Sequence, residues 1–141
     1  GASQGGGLAI AAAALSGEAV AAVMPDVPFL CDFPNGIVRT PSAPFTEITR
    51  YLAVHRDDAD RVLHTLSHVD GAVLARRIRV PAYFSVAFMD DVVLPSGVFA
   101  AFHALASDDA AIEEYPYNGH EGGGYRHWMK QVAWLYTRFG R

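Results

Sequence analysis

The chain has 141 residues, close to the ~150 of one average domain, and 51% of them are hydrophobic, enough for a sizeable core and too many for a disordered chain. A net charge of −4 and the lack of any basic stripe argue against a nucleic-acid partner; the densest basic cluster, Arg76-Arg77-Ile78-Arg79, reads as a solvated helix end. The single cysteine, Cys31, excludes an internal disulfide and fits a reducing compartment, while the longest apolar stretch (residues 8–15) is far short of the ~20 residues of a membrane span.

The chain opens on Gly1-Ala2-Ser3-Gln4-Gly5, a Gly-x-Ser-x-Gly pattern. It reads as a nucleophile elbow, the strand-to-helix turn that lifts a serine hydroxyl to the top of an α/β-hydrolase sheet, with glycines where the backbone comes too close for a Cβ. The alanine-rich residues 8–15 predict a helix just behind Ser3, its positive dipole end aimed at the hydroxyl. The competing reading of Ser3 is an ordinary helix N-cap. An elbow needs a strand ahead of it, and here the chain starts on the elbow's own glycine. Residues 1–141 are therefore expected to be a partial domain, the C-terminal part of a longer protein whose earlier strands and oxyanion loop lie elsewhere. Alone, such a piece would expose an open sheet edge, which predicts aggregation or poor folding, and any catalysis by it alone is expected to be feeble.

Ser16-Gly17 stops the first helix, residues 19–24 predict a short buried parallel strand, and Pro25 ends it. Residues 26–44, with five prolines counted from Pro25, predict a long loop carrying Phe29, Leu30 and Phe33. Helices are predicted over 45–55 and 59–68, with Asp57 and Asp58 as capping candidates, and a shorter one over 69–77. Residues 81–89 form the clearest strand, ending at Asp90-Asp91; Pro95-Ser96 starts a helix to about 106; residues 111–117 form another strand, closed by Asn118-Gly119. Finally Trp128, Val132, Leu135 and Phe139 fall at helical spacing and predict an amphipathic C-terminal helix, with Trp128 and Trp134 as packing residues. Alternating strands and helices predict a mostly parallel α/β sheet.

In such sheets the working groups gather at the carboxyl ends of strands. Ser3, Asp90 and His120 each stand at one, in the order Ser, Asp, His that α/β-hydrolases use. The serine needs a base to take its proton, and the histidine needs a carboxylate to fix its tautomer. Asp91 is the rival of Asp90, which is preferred because it directly follows the strand. His120 lies in Tyr117-Asn118-Gly119-His120-Glu121-Gly122-Gly123-Gly124, whose glycines would let the loop carry it over the elbow, with Glu121 shaping that loop. His64 and His68, four apart on a helix, could share a metal, but Thr65 stands where a zincin has glutamate and no third ligand is evident. His55, His103 and His127 read as surface or groove residues.

The segments Gly1-Ala2-Ser3-Gln4-Gly5-Gly6, Leu66-Ser67-His68-Val69-Asp70, Ala75-Arg76-Arg77-Ile78, Met89-Asp90-Asp91, Pro95-Ser96-Gly97-Val98-Phe99-Ala100-Ala101 and Tyr117-Asn118-Gly119-His120-Glu121 together resemble carbohydrate esterase family 7, the acetyl xylan esterase/cephalosporin C deacetylase family. The resemblance implies Ser3 as nucleophile, His120 as general base, Asp90 as its carboxylate and the Gln4 N–H as one oxyanion donor. A second donor, involving a tyrosine of an earlier segment, is not among these residues. It also implies deacetylation of xylo-oligosaccharides and of cephalosporin C, no metal or organic cofactor, no nucleic-acid or membrane partner, a homo-oligomer (hexamer) and a cytoplasmic location. Residues 26–44 and their aromatics would then supply subunit contacts. His68, where the family has an aromatic, and Leu94, in place of the first of two prolines, are departures that bear on pocket shape. A prolyl-oligopeptidase-like peptidase shares the fold and triad order, though Ala2 stands where an aromatic would favour it. A non-catalytic hydrolase-like module is the reading from another class, and the intact triad argues against it.

Overall fold

The computed structural model describes residues 1–140. At its centre is β1 (Ala82–Ala87), every residue of which is buried. Such burial on both faces is what a continuous apolar strand inside a parallel sheet demands. β2 (Ala110–Tyr115) pairs with it in parallel, from Ala82 opposite Ala110 to Ala87 opposite Tyr115, and is only partly covered. On the other side of β1 runs the extended segment 23–27. Val23 N–H donates to Pro81 O (3.0 Å), Tyr83 N–H to Val23 O (2.9 Å) and Val27 N–H to Ser85 O (3.1 Å). Residues 1–3 pair in parallel with that segment through Ala2 and Asp26. Four extended segments therefore lie side by side: 1–3, 23–27, β1, β2.

The second of these departs from the prediction of a strand over 19–24. Gly17–Ala19 forms a 3-10 turn instead, and pairing begins at Val23 and runs past Pro25. Proline has no N–H, so the ladder breaks into isolated bridges at Val23 and Asp26 rather than ending there.

Helices cover both faces. α1 (Gln4–Leu15) buries Ile10, Ala13 and Ala14. It joins α5 (Gly71–Leu74) and α6 (Pro95–His103) against the face of β1 that carries Phe84 and Val86, with Phe84 edge-on to Phe102 at 5.7 Å. α2 (Phe33–Arg39), α3 (Phe45–Val54) and α4 (Ala59–Ser67) extend this side. α2 lies inside the predicted 26–44 loop, because Pro34 sits in its first turn, where a missing N–H costs nothing. Phe29 and Phe33 are not surface aromatics: both are buried against Phe45, with ring centroids 4.9 and 5.9 Å away. Asp70, also buried, accepts the backbone N–H groups of Asp32, Phe33 and Ala72, each at 2.8 Å, and so fastens the starts of α2 and α5 together.

α7 (Gly124–Phe139) lies on the opposite face, but not by the predicted stripe. Trp128 and Phe139 are exposed, while the polar His127 and Gln131 are buried. Trp134 stacks on Tyr83 at 5.6 Å, and the Arg138 guanidinium covers it at 4.1 Å. The helix is attached through its polar side because the groups beneath it, Asp26, Ser85 and Tyr115, are themselves polar and need partners. Among the described residues, no helix is long and apolar enough to cross a membrane.

Candidate active site

Ser3 sits between segment 1–3 and α1 with φ 52° and ψ −122°, a left-handed conformation that a non-glycine residue holds only when its surroundings enforce it. They do. Its N–H donates to Asp26 O (2.9 Å), and its carbonyl accepts from the N–H groups of Gly6, Gly7 and Phe29. A Cβ on Gly1 would lie 2.5 Å from Gly5 O, and one on Gly7 would run into the Phe29 carbonyl. Gly5 has open space around its missing Cβ, so the close approach predicted there falls on Gly1 and Gly7 instead.

The Ser3 hydroxyl makes no capping bond to α1. It lies 2.9 Å from His120 Nε2, while His120 Nδ1 lies 2.9 Å from Asp90 Oδ2. An ionised carboxylate only accepts, so Nδ1 carries the proton and Nε2 is left to accept from Ser3. Asp90 is wholly buried at its side chain, and its Oδ1 accepts from Val92 N–H (2.9 Å) and Val93 N–H (2.8 Å). Those bonds fix the carboxylate and leave Oδ2 for the imidazole. Asp91, next in the chain, is exposed.

His120 arrives on a loop held from both ends. Met89 N–H donates to Asn118 O (3.0 Å) on one side, and Gly122, at φ +56°, turns the chain into α7 on the other. Glu121 bonds Asn118 Nδ2 (2.9 Å) and Gly119 N–H (3.3 Å) rather than the imidazole; the Asn118 bond is the main reason its carboxyl is held below the usual range. Gln4 is the first residue of α1, where a backbone N–H has no acceptor within the helix.

Two hollows flank Ser3. One, of ≈ 390 Å³, is lined by Gln4, Phe29, Pro44 and Val92 besides the serine. The other, of ≈ 360 Å³, lies on the His120 side and includes Asp26, Ser85, Glu121 and His127. Of the surface or groove reading of His127 the groove half holds: it lines this hollow yet is only 2% exposed, with Nδ1 3.0 Å from Tyr115 Oη. Sequence reasoning missed this second polar cluster. The only signals were Asp26 following an extended run and a polar i, i+4 pair, His127 and Gln131, on the C-terminal helix.

The remaining histidines make contacts of other kinds. His64 and His68 meet edge-on at 5.1 Å, with His68 Nδ1 directed at His64 O, and no cluster of three metal-binding side chains exists among the described residues. His55 stacks on Tyr51 and His103 on Phe99. Burial pushes the Cys31 thiol up, which removes it as a nucleophile.

The family model for acetyl xylan esterase (AXE1) matches residues 1–138. The chain belongs to the acetyl xylan esterase family. Two solved members resemble it closely. An acetyl xylan esterase from Paenibacillus sp. R4 is 32% identical with a TM-score of 0.90 over 97% of this chain and 43% of its own. Acetyl xylan esterase 1 from Thermoanaerobacterium sp. JW/SL YS485 is 34% identical with a TM-score of 0.83 over 93% of this chain and 42% of its own. The chain thus spans less than half the length of these family members. An acylaminoacyl peptidase from Pyrococcus horikoshii superposes with a TM-score of 0.68 over 98% of this chain and 23% of its own, at 14% identity, a likeness of fold alone. With the parallel sheet, the elbow and the Ser-Asp-His order, the family's architecture here is that of the α/β-hydrolases.

Proposed function

We propose that the protein is a serine esterase that removes acetyl groups from acetylated xylo-oligosaccharides, and in the same way from the acetoxymethyl group of cephalosporin C. The observation that carries this reading is the unbroken chain Ser3 Oγ–His120 Nε2, 2.9 Å, and His120 Nδ1–Asp90 Oδ2, 2.9 Å. Ser3 attacks the acetyl carbonyl as its proton passes to His120 Nε2. The oxyanion forms toward the Gln4 N–H at the start of α1, a donor of a kind worth roughly 10²–10³ in rate. His120, now charged and held by Asp90, gives its proton to the departing sugar oxygen, leaving acetyl on Ser3. Water then loses a proton to His120 as it attacks the acetyl-enzyme, and His120 returns that proton to Ser3 Oγ as acetate leaves. The leaving alcohol must face the proton donor, which puts it in the polar hollow beside His120; the acyl side falls toward Gln4, Phe29 and Val92. No step calls for a metal or organic cofactor.

Acetate release from acetylated xylo-oligosaccharides and p-nitrophenyl acetate, compared with cleavage of dipeptide amides, tests the assignment. Ester cleavage is expected to dominate, and faster amide cleavage would reject it. The family resemblance further supports a homo-oligomer, a hexamer, and a cytoplasmic setting; a monomeric sedimentation coefficient for the native full-length protein would contradict the first.

A further inference from the structure

We infer that Asp26 is a positioning residue that holds the three triad-bearing elements in register, an inference that rests on the esterase reading above. Its main chain grips the elbow on both sides of Ala2: Asp26 N–H donates to Gly1 O (2.8 Å), and its carbonyl accepts the Ser3 N–H (2.9 Å). Its side chain reaches the other two elements. Oδ1 accepts from Gln131 Nε2 (2.8 Å) on α7, the helix that follows the His120 loop. The same oxygen lies 3.3 Å from Ser85 Oγ on β1, the strand that leads to Asp90, and Ser85 in turn accepts the Val27 N–H at 3.2 Å. His127 Nε2 is 2.7 Å away, though off the line that a directed hydrogen bond from the ring would need.

The chemistry of this cluster suits a carboxylate. The Gln131 amide and the Ser85 hydroxyl both present donors, and an acid that only accepts can hold several at once. Packing alone does not ask for this, since an apolar side chain with apolar neighbours would fill the space without burying polar groups. Ser3 meanwhile occupies a left-handed conformation that relaxes if its anchor shifts, and a misplacement of about 1 Å can cost 10²-fold in rate. Asp26 touches neither Ser3 Oγ nor the His120 ring. It acts through their placement.

The test uses the native full-length protein and the variants Asp26→Ala, Asp26→Asn and Gln131→Leu. Two readouts are compared: kcat and KM on p-nitrophenyl acetate, and the rate at which a fluorophosphonate labels Ser3, which needs the aligned Ser3–His120 pair but no recognition of acetyl. Asp26→Ala and Gln131→Leu should each lower kcat and labelling by roughly ten- to a hundredfold, with KM within about threefold of the parent. Asp26→Asn, whose amide oxygen still accepts from Gln131, should recover most of the loss. The Asp26→Ala/Gln131→Leu double variant should fall little below the worse single one, because both cut the same link. Folded variants that label and turn over at the parent rate would overturn the inference, as would an Asn variant no better than Ala or fully multiplicative losses. Gln131→Leu keeps the test decisive if Asp26→Ala does not fold. If the parent labels at Ser3 but cleaves no acetyl ester, the esterase reading fails, and the labelling rates alone judge Asp26.

Discussion

Replacing Asp90 by Asn separates the proposed catalytic use of one side chain from its structural use. Its Oδ1 accepts two backbone N–H groups, from Val92 and Val93, and its Oδ2 faces His120 Nδ1. Asparagine keeps an oxygen for the first pair, so the turn after β1 should survive and the melting temperature stay within a few degrees. At Oδ2 it presents an NH₂ instead. His120 must then turn Nδ1 into an acceptor and carry its proton on Nε2, where it can no longer take one from Ser3. In serine hydrolases this exchange of tautomer costs about 10⁴ in kcat, which at 1.36 kcal/mol per tenfold is about 5 kcal/mol of transition-state stabilisation. Asp90→Ala would combine that loss with two orphaned N–H groups, the buried one of Val93 at about 1–3 kcal/mol and the partly buried one of Val92 at less, so it should also unfold more readily. Steady-state hydrolysis of p-nitrophenyl acetate, alongside a thermal melt, reads both effects. Asp91→Asn, at an exposed position, should be silent in both. An Asp90→Asn enzyme within tenfold of the parent, or an equal loss in Asp91→Asn, would refute the reasoning.

Two further outcomes follow from the packing and from the buried phenols. Gly7→Ala should destabilise the fold and depress activity, because its methyl runs into the Phe29 carbonyl; Gly5→Ala should be tolerated and stabilise by up to about 1 kcal/mol through helix propensity, as denaturant melts would show. A reversed ranking would contradict the elbow geometry. Tyr83 and Tyr115 are both pushed up to about 12, chiefly by burial and then by Glu113. The folded state holds these protons beyond the ordinary tyrosine value of 10.0, so the stability they contribute is present below that value and is lost as pH climbs from there toward about 12. Tyrosinate absorbance should keep rising up to that range and lose its late part in a Tyr83→Phe/Tyr115→Phe variant; a titration of the folded protein complete near 10.0 would contradict it.

The Ser3–His120–Asp90 arrangement was legible because each member stands at or within a few residues of the end of an extended run, Asp90 shortly beyond β1 and His120 shortly beyond β2, and chain order alone arranges strand ends along one edge of a parallel sheet. Asp90 over Asp91 was legible for the same reason. What misled was punctuation. Pro25 reads as a strand terminator, yet in a parallel ladder successive residues face opposite neighbours, so one missing N–H interrupts a single side and the strand goes on to Asp26. The proline density of residues 26–44 hid α2, whose Pro34 is a first-turn residue. The apolar stripe of α7 was a true periodicity attached to the wrong face. Hydropathy cannot register that Gln131 is buried with Asp26 as partner and His127 with Tyr115, because a buried polar group and a solvated one have the same sequence signature.

A covalent acetyl group at Ser3 is the most direct mark of the proposed mechanism. Acid-quenching the native full-length protein during turnover of an acetyl ester, followed by peptide mapping by mass spectrometry, should find one acetyl on the Ser3 hydroxyl, absent from a Ser3→Ala variant and accumulating with the initial burst of alcohol. Sustained turnover with Ser3 unmodified, or with the acetyl carried by another side chain, would contradict it.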